Sequence, residues 1–250
     1  VTPSTIIVVP CYNEAARLDG DAFVSFASAH RDVGFHFVDD GSSDGTVAML
    51  RELARRNPGQ LTIQALEHNF GKAEAVRQGM LHAASRGATY VGFWDADLAT
   101  PLEEIPGFID LLDHRQTLDM VFGSRVNLLG RSVKRNLFRH YVGRVFATAA
   151  ATALGVGIYD TQCGAKIFRV SPRFVRSLED KFIGGWIFDV EIVAREIQAR
   201  RRDSSLPDIR EAIYEQPLMT WRDVRGSKLT LGDFPAVALR LVRIYWKYLR

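Results

Sequence analysis

The sequence predicts an α/β protein with a mostly parallel sheet and helices on both faces. Three observations predict it. Short runs rich in branched and aromatic residues recur along the first hundred residues: TIIVV at 5–9, GFHFV at 34–38, LTIQAL at 61–66 and YVGFW at 90–94. Stretches of helical length with one apolar face separate them. The first run is uniformly branched, as a strand buried on both faces is.

Each element has its own justification. Thr5 to Val9 is the first strand, and it ends in Pro10-Cys11-Tyr12-Asn13-Glu14 ahead of a helix. Gly34 to Val38 is the second, ending in Asp39-Asp40-Gly41-Ser42-Ser43-Asp44-Gly45-Thr46. Small, turn-favouring residues there bring backbone and carboxylates close to a ligand. The next helix runs to about Arg56, and Leu61 to Leu66 is the third strand. After the turn His68-Asn69-Phe70-Gly71, a helix carries Ala73, Val76, Met80, Ala83 and Ala84 on one face. Tyr90 to Trp94 is the fourth strand. Pro101 opens another helix, with Thr100 as N-cap and Glu103 and Glu104 in its first turn. Asp119 to Gly123 is a strand leading to Ser124-Arg125. A basic segment follows (Arg131, Lys134, Arg135, Arg139, Arg144), then a small-residue helix from about Tyr141 to Leu154. Lys166 to Arg169 is a short strand, and a helix starts near Asp189. Ile209 to Trp221 is expected to form strands near a sheet edge. Asp233 to Arg250 is an amphipathic helix. No composition shift marks a linker, so residues 1–232 read as one domain and 233–250 as a helix appended to it.

Composition narrows the function. The chain has 250 residues, 47% hydrophobic and 24% charged, which suits a globule with a sizeable core. A net charge of +3 is too weak to imply nucleic acid and fits an anionic substrate or membrane surface. Cys11 and Cys163 stand in no paired motif, against a disulfide framework or zinc site and in favour of a reducing compartment. No signal peptide is read at the start. No apolar run reaches the roughly 18–20 residues of a membrane span. The nearest, Tyr141 to Ile158, contains Arg144 and glycines and reads as a packed helix. The expected location is cytoplasmic, peripheral at the cytoplasmic face of a membrane.

Asp95 and Asp97 end the fourth strand. Carboxyl ends of strands are where open α/β sheets hold ligands. Two carboxylates this close repel unless a cation sits between them. Hard oxygen ligands suit Mg²⁺ or Mn²⁺, which commonly bridge protein carboxylates to substrate phosphates. A pair of solvated acids at a polar strand end is the alternative.

The segments VVPCYNE, VDDGSSDGT, HNFGKAEAVRQGM, DADLAT, GSR, DTQCGAKIF, WIFDVE and GSKL lie in the order seen in family 2 glycosyltransferases of the GT-A fold. The resemblance covers Ile6 to about Leu229. It is greatest to the dolichyl-phosphate β-glucosyltransferases and their bacterial polyprenyl-phosphate relatives. It implies a metal-dependent, inverting hexosyltransferase that moves a sugar from a nucleotide donor to a polyprenyl phosphate. Two residues after the second metal acid, where mannose-transferring members often have Gln, stands Ala99. That favours glucose, and so UDP-glucose. The Gln-x-x-Arg-Trp motif of processive synthases is absent. The eukaryotic relatives carry an N-terminal membrane anchor that is not read here, which leaves the mode of attachment open.

The resemblance implies roles for particular residues. Pro10, Tyr12, Glu14, Asp40, Lys72, Asp95, Ala96 and Asp97 fall to the nucleotide, with Asp95 and Asp97 also on the metal. Capping or turn roles stay open for Glu14 and Lys72, and Asp39 serves the turn or the ligand equally well. Asp160, Asp189 and Glu191 are the acids near the acceptor. Each has a bland alternative: an Asx-turn for Asp160, a helix N-cap for Asp189, a first-turn acid facing the helix dipole for Glu191. Arg125 matches the family's arginine for the acceptor phosphate. Arg135 and Arg139 are spaced i and i+4 and so point the same way. Guanidinium groups suit phosphate oxygens, and a solvated basic face is the alternative. Ser227 and Lys228, with Arg222 or Arg225, resemble the loop that closes over the donor diphosphate. Cys163 reads as a small buried residue.

In the last helix Phe234, Val237, Ala238, Leu241, Val242, Tyr245, Tyr248 and Leu249 form one face, with Arg240, Arg243, Lys247 and Arg250 on another. An aromatic face with a cationic border fits a membrane surface. Docking on the sheet and a juxtamembrane helix fit it as well. Two rival functions also stand: transfer to a soluble saccharide or protein hydroxyl, and nucleotide-sugar binding without catalysis.

Overall fold

Branched and aromatic runs became strands and the amphipathic stretches became helices. In chain order these are β1 (Thr5–Cys11), α1 (Gly20–Ala29), β2 (Val33–Asp39), α2 (Thr46–Arg56), β3 (Leu61–Ala65), α3 (Lys72–Ser85) and β4 (Tyr90–Trp94). Then come α4 (Ile105–His114), β5 (Met120–Ser124), β6 (Ser132–Lys134), α5 (Leu137–Leu154), β7 (Ala165–Arg169) and α6 (Pro172–Glu179). The last are α7 (Phe188–Arg202), α8 (Ile209–Ala212), β8 (Ile213–Pro217), β9 (Thr220–Arg222) and α9 (Phe234–Ile244). The computed structural model describes residues 3–134, 137–223 and 234–250, with backbone only for 134, 137–142 and 234. The expected boundary at 232/233, together with Arg135, Arg225, Ser227 and Lys228, lies outside the described residues. The chain divides into two compact units, Val1–Leu98 with Gly164–Lys181, and Ala99–Cys163 with Phe182–Arg250.

In the first unit the strands run in the order β3-β2-β1-β4-β7. β1 pairs parallel with β2 and β4, and β2 with β3, while β7 is antiparallel to β4. Alternation along β2 shows both faces covered. Phe35 and Phe37 meet Phe23 of α1 edge to face, at 5.0 and 5.1 Å between ring centroids. His36, on the opposite face, stacks on His82 of α3 at 4.3 Å. Burial on both faces explains why β1, β2 and β4 read as near-continuous apolar runs. The parallel strands put the carboxyl ends of β1 to β4 on one edge.

In the second unit β5 pairs parallel with β8, and β6 with β9. Two expectations need correction here. The helix after Pro101 opens as a 3₁₀ turn, Leu102–Glu104, with Pro101 at the cap position, so Thr100 is not its N-cap. Glu103 and Glu104 lie in that first turn as expected, and Glu104 accepts the amide of Met219 at 2.6 Å. Ile209–Ala212 is helical rather than extended, because the Asp208 side chain caps it by accepting from the Arg210 amide. The C-terminal segment is α9 followed by a π-helical turn, Tyr245–Leu249. One of its faces docks on α7 rather than on a sheet. Ile244 and Leu249 are buried there, and Arg201 donates to the Leu249 carbonyl at 2.6 Å. Among the described residues no helix is long and apolar enough to cross a membrane.

Candidate active site

The first unit carries the acids and the lysine at its strand ends. Two loops there are bolted together by short polar side chains. The Asn13 amide donates to Ser42 Oγ and the Ser43 amide to Asn13 Oδ1, both at 2.9 Å. The Glu14 amide donates to Thr46 Oγ1 at 2.8 Å, and the Ala15 amide to Asp44 at 3.2 Å. Asn13 takes φ 55° to do this, a left-handed conformation that Asn tolerates. Asn, Asp, Ser and Thr compete well for nearby backbone, and that was the signal available in the sequence for this role.

Glu14 is buried, and Arg17 forks onto its carboxylate, with Nη2 2.5 Å from Oε1. The hydrogen bond to Glu14 raises the Arg17 pKa, and the charges of Asp97 and Asp95 add to it. Arg17 was missed in the sequence. Asp39 accepts the Ser42 amide at 3.0 Å, the turn role; its other oxygen is buried with no hydrogen-bond partner. Asp40 is also buried and accepts the amides of Phe70 and Gly71 at 2.8 and 2.9 Å. It therefore fixes the loop that delivers Lys72 at the start of α3. Gly41 has φ 68°, and a Cβ there would lie 2.5 Å from the His68 backbone, so only glycine fits.

Lys72 reaches across to Asp95, with Nζ 2.5 Å from Oδ1. The Asp95 amide donates to the Gly164 carbonyl at 2.9 Å. A Cβ on Gly164 would fall 1.9 Å from Asp95 Oδ2, so the Cys163-Gly164 step shapes this carboxylate. Leu98 turns the chain after Asp97 with φ 51°. Pro10 and Tyr12 are half-buried and Ala96 is buried around the same strand ends. Burial pushes the Cys11 thiol well up, which keeps it protonated and inert. Cys163 is buried too, as expected.

The donor set suits Mg²⁺ or Mn²⁺. Asp95 keeps 36% of its side chain exposed, and it already holds one cationic group. Among the described residues no three His, Cys, Asp or Glu side chains gather as a metal cluster. Two carboxylates would leave the remaining positions to water or substrate oxygens, as Mg²⁺ prefers.

The second unit carries the residues expected near the acceptor. Arg125 and Asp160 form a part-buried fork, Nε to Oδ2 at 2.6 Å and Nη2 to Oδ1 at 2.8 Å. The Arg125 guanidinium also lies 5.3 Å from the Trp221 ring centroid. The amides of Tyr159 and Asp160 donate to Glu215 at 2.7 and 2.8 Å, which locks the turn. The Gln162 amide closes on Asp160 Oδ1 at 3.3 Å, the Asx-type turn. Asp189 does not cap α7, because the cap position is Ile187; it lies inside the first turn and accepts from Gln162 Nε2 at 3.4 Å. Glu191 is fully buried, and its carboxylate accepts from Gly184, Arg195 and Tyr248. Glu191 lies in the first turn of α7 as expected, and both its carboxylate oxygens are engaged by these donors. Arg222 is exposed on β9. Arg139 belongs to α5, and its side chain is outside the described set.

Three comparisons bear on this arrangement. A sequence profile described as glycosyl transferase family 2 matches residues 6–173. Dolichyl-phosphate beta-glucosyltransferase of Saccharomyces cerevisiae is 30% identical over 97% of this chain and 74% of its own length. The polyprenol monophosphomannose synthase of Mycolicibacterium smegmatis is 28% identical over 78% of this chain and 73% of its own. Among solved structures, glucosyl-3-phosphoglycerate synthase of Mycobacterium tuberculosis in complex with UDP superposes with a TM-score of 0.65 at 17% identity. That match covers 98% of this chain and 79% of the other, and at this identity it speaks for the fold. The same enzyme was also solved with Mn²⁺, UDP-glucose and phosphoglyceric acid, with a TM-score of 0.64.

Proposed function

The chain belongs to glycosyl transferase family 2, and on that premise we propose that it transfers a hexose from a nucleotide sugar to a polyprenyl phosphate with inversion. Glucose from UDP-glucose is the favoured donor. The observation that carries the reading is the linked set Asp40, Lys72 and Asp95 at the parallel strand ends. It lies in a chain whose similar relatives are named for lipid-phosphate acceptors.

The residues divide the work. Tyr12, Glu14 and Asp40 frame the nucleoside, with Asp40 acting on the Phe70–Gly71 backbone as well. Asp95 and Asp97 would hold Mg²⁺ or Mn²⁺, and such an ion would supply charge neutralisation for the departing nucleoside diphosphate. Lys72, at the start of α3 and beside Asp95, is placed to donate to a phosphate oxygen of the donor. The acceptor phosphate is anionic at neutral pH, since its second pKa is about 6, so it needs little help from a base. Arg125, Arg135 and Arg139 receive it, and Asp160 aligns Arg125. Asp189 is the remaining candidate acid. Arg222, Arg225, Ser227 and Lys228 close on the diphosphate.

A lipid acceptor requires a bilayer within reach. Away from α7, the C-terminal segment exposes Leu239, Val242, Tyr245 and Trp246 by 53%, 50%, 42% and 57%. Arg243, Lys247 and Arg250 border them, all exposed. Apolar and aromatic side chains ringed by cations fit an anionic membrane surface. Cys11 and Cys163 are buried and form no disulfide, which suits a reducing compartment and supports the cytoplasmic face as the side of attachment.

The test is a matrix of UDP-glucose, UDP-galactose and GDP-mannose against undecaprenyl phosphate, dolichyl phosphate, 3-phosphoglycerate and a saccharide, with and without Mn²⁺. A lipid-linked hexose phosphate, seen by mass spectrometry only with metal, is the expected product. Glycosylation of a soluble acceptor alone would overturn the lipid assignment, and nucleotide binding without any product would overturn catalysis.

A further inference from the structure

The buried carboxylate of Glu191 ties together parts of the second unit that lie far apart in sequence. Its Oε1 accepts from Arg195 Nη2 at 2.6 Å and from the Tyr248 hydroxyl at 3.1 Å. Its Oε2 accepts from the Gly184 amide at 2.6 Å. Gly184 opens the 3₁₀ turn Gly185–Ile187 that leads into α7, and Asp189 stands two residues beyond it. The same turn is covered from outside by α9. Gly185 has φ 54°, and a Cβ there would meet Arg240 Nη1 at 2.7 Å. So the C-terminal segment grips this turn twice, directly through Arg240 and by way of Glu191 through Tyr248.

The segment has a second side. Leu239, Val242, Tyr245 and Trp246 face away from the docked residues Val237, Ile244, Tyr248 and Leu249. A helix of this length is marginal alone in water, so its order depends on what packs against it. Whatever stabilises the outer side therefore stabilises the grip of the inner side.

We propose that Tyr248, Glu191 and Arg240 are positioning residues that couple contact of the outer side with an anionic bilayer to ordering of the turn 184–187 ahead of Asp189. The link to acceptor use rests on the lipid-phosphate reading above; the coupling itself does not. Bilayer binding favours the docked segment, the docked segment holds the Gly184 amide through Glu191, and the acceptor-side helix start is fixed. The two ends gain by the same factor, as coupled equilibria must.

Amide hydrogen exchange of the full chain, with and without vesicles of phosphatidylglycerol and phosphatidylcholine, tests this without reference to activity. In the wild type, exchange across 184–189 slows about tenfold on vesicles. In Tyr248→Phe and in Arg240→Gln it slows less than about twofold, although both variants still float with the vesicles. Arg240→Gln serves if Tyr248→Phe fails to fold, since Arg240 is not buried. A parallel assay with a short, water-soluble prenyl phosphate then reads a vesicle-dependent fall in acceptor KM that Tyr248→Phe lacks. Unchanged exchange at 184–189 in vesicle-bound wild type, equal slowing in the variants, or no vesicle binding at all would each overturn the coupling. If exchange responds and no transfer occurs, the coupling stands and the lipid-phosphate function falls.

Discussion

The Lys72 ammonium lies 2.5 Å from Oδ1 of Asp95. The pair joins the first residue of α3 to the acid that follows β4, and so links two strand-end loops of one sheet edge. Their side chains are 25% and 36% exposed. At that exposure an ion pair adds only about 0–1 kcal/mol to stability, so the fold depends little on it.

Replacing these residues should therefore separate catalysis from folding. Asp97→Ala and Asp95→Ala are expected to lower turnover by at least ~10²–10³-fold while thermal melting stays nearly unchanged. Lys72→Met should raise the donor KM and leave stability within about 1 kcal/mol. Steady-state kinetics across a Mn²⁺ titration, with calorimetric melting alongside, checks all three. Normal turnover of Asp97→Ala in EDTA would remove the metal role.

Arg125 and Asp160 behave differently because little of either side chain meets solvent, 15% and 7%. Removing one partner leaves a desolvated charge, which costs about 3–5 kcal/mol. Arg125→Met alone should lose that much in urea unfolding, and Arg125→Met with Asp160→Leu should recover much of it. Both variants should lose acceptor use and keep UDP binding by calorimetry. A double variant no more stable than the single one would show that Asp160 is held by other groups.

Gly164 tests how tightly Asp95 is placed. A Cβ there would stand 1.9 Å from Oδ2 of Asp95, whereas a Cβ on Gly157 meets nothing within 4 Å. Displacing a catalytic group by about 1 Å can cost ~10²-fold in rate. Gly164→Ala is expected to lose that much turnover and to weaken Mn²⁺ binding measured by electron paramagnetic resonance. Gly157→Ala is the matched control, with turnover near wild type.

His36 sets a pH dependence. Burial lowers its pKa from 6.5 to about 4, and the neighbouring His82 adds to the effect. His82 is lowered as well, by burial and by Arg86. The unfolded chain takes up the His36 proton below about pH 6.5, while the folded chain stays neutral down to about pH 4. Stability is thus complete above pH 6.5 and falls as pH drops through that window, by about 2 kcal/mol between roughly pH 7.5 and pH 5. His36→Gln should flatten this part of the profile in urea titrations. An unchanged slope would assign the acid sensitivity to other groups.

Much of the fold was legible because its signals are local. Tyr90–Trp94 appears as read, and β1, β2 and β3 lie within two residues of their expected bounds. Apolar runs of strand length and helical faces repeat whatever the partner, so one dimension suffices. Helix starts were less legible. Thr100 lost the cap to a 3₁₀ turn and Asp189 lay inside α7, because a short polar residue before a helix looks the same whether or not it caps. The strand-end placement of Glu14, Asp40, Lys72 and Asp95 was also readable, since strand ends of a parallel sheet share an edge.

The sequence by itself determined the α/β class, the strand-end placement of the acids and the family resemblance. Only the tertiary structure decided which polar groups face a ligand and which face each other. Glu191 and Asp160 read as candidate catalytic acids, yet one is enclosed by Gly184, Arg195 and Tyr248 and the other is forked by Arg125. Arg17 stood in no motif and Gly164 had no role assigned within DTQCGAKIF, and they turn out to shape Glu14 and Asp95. The reason is desolvation: a charge that packing buries must take a partner from wherever the chain brings one, and that partner is fixed by the fold rather than by its neighbours in sequence.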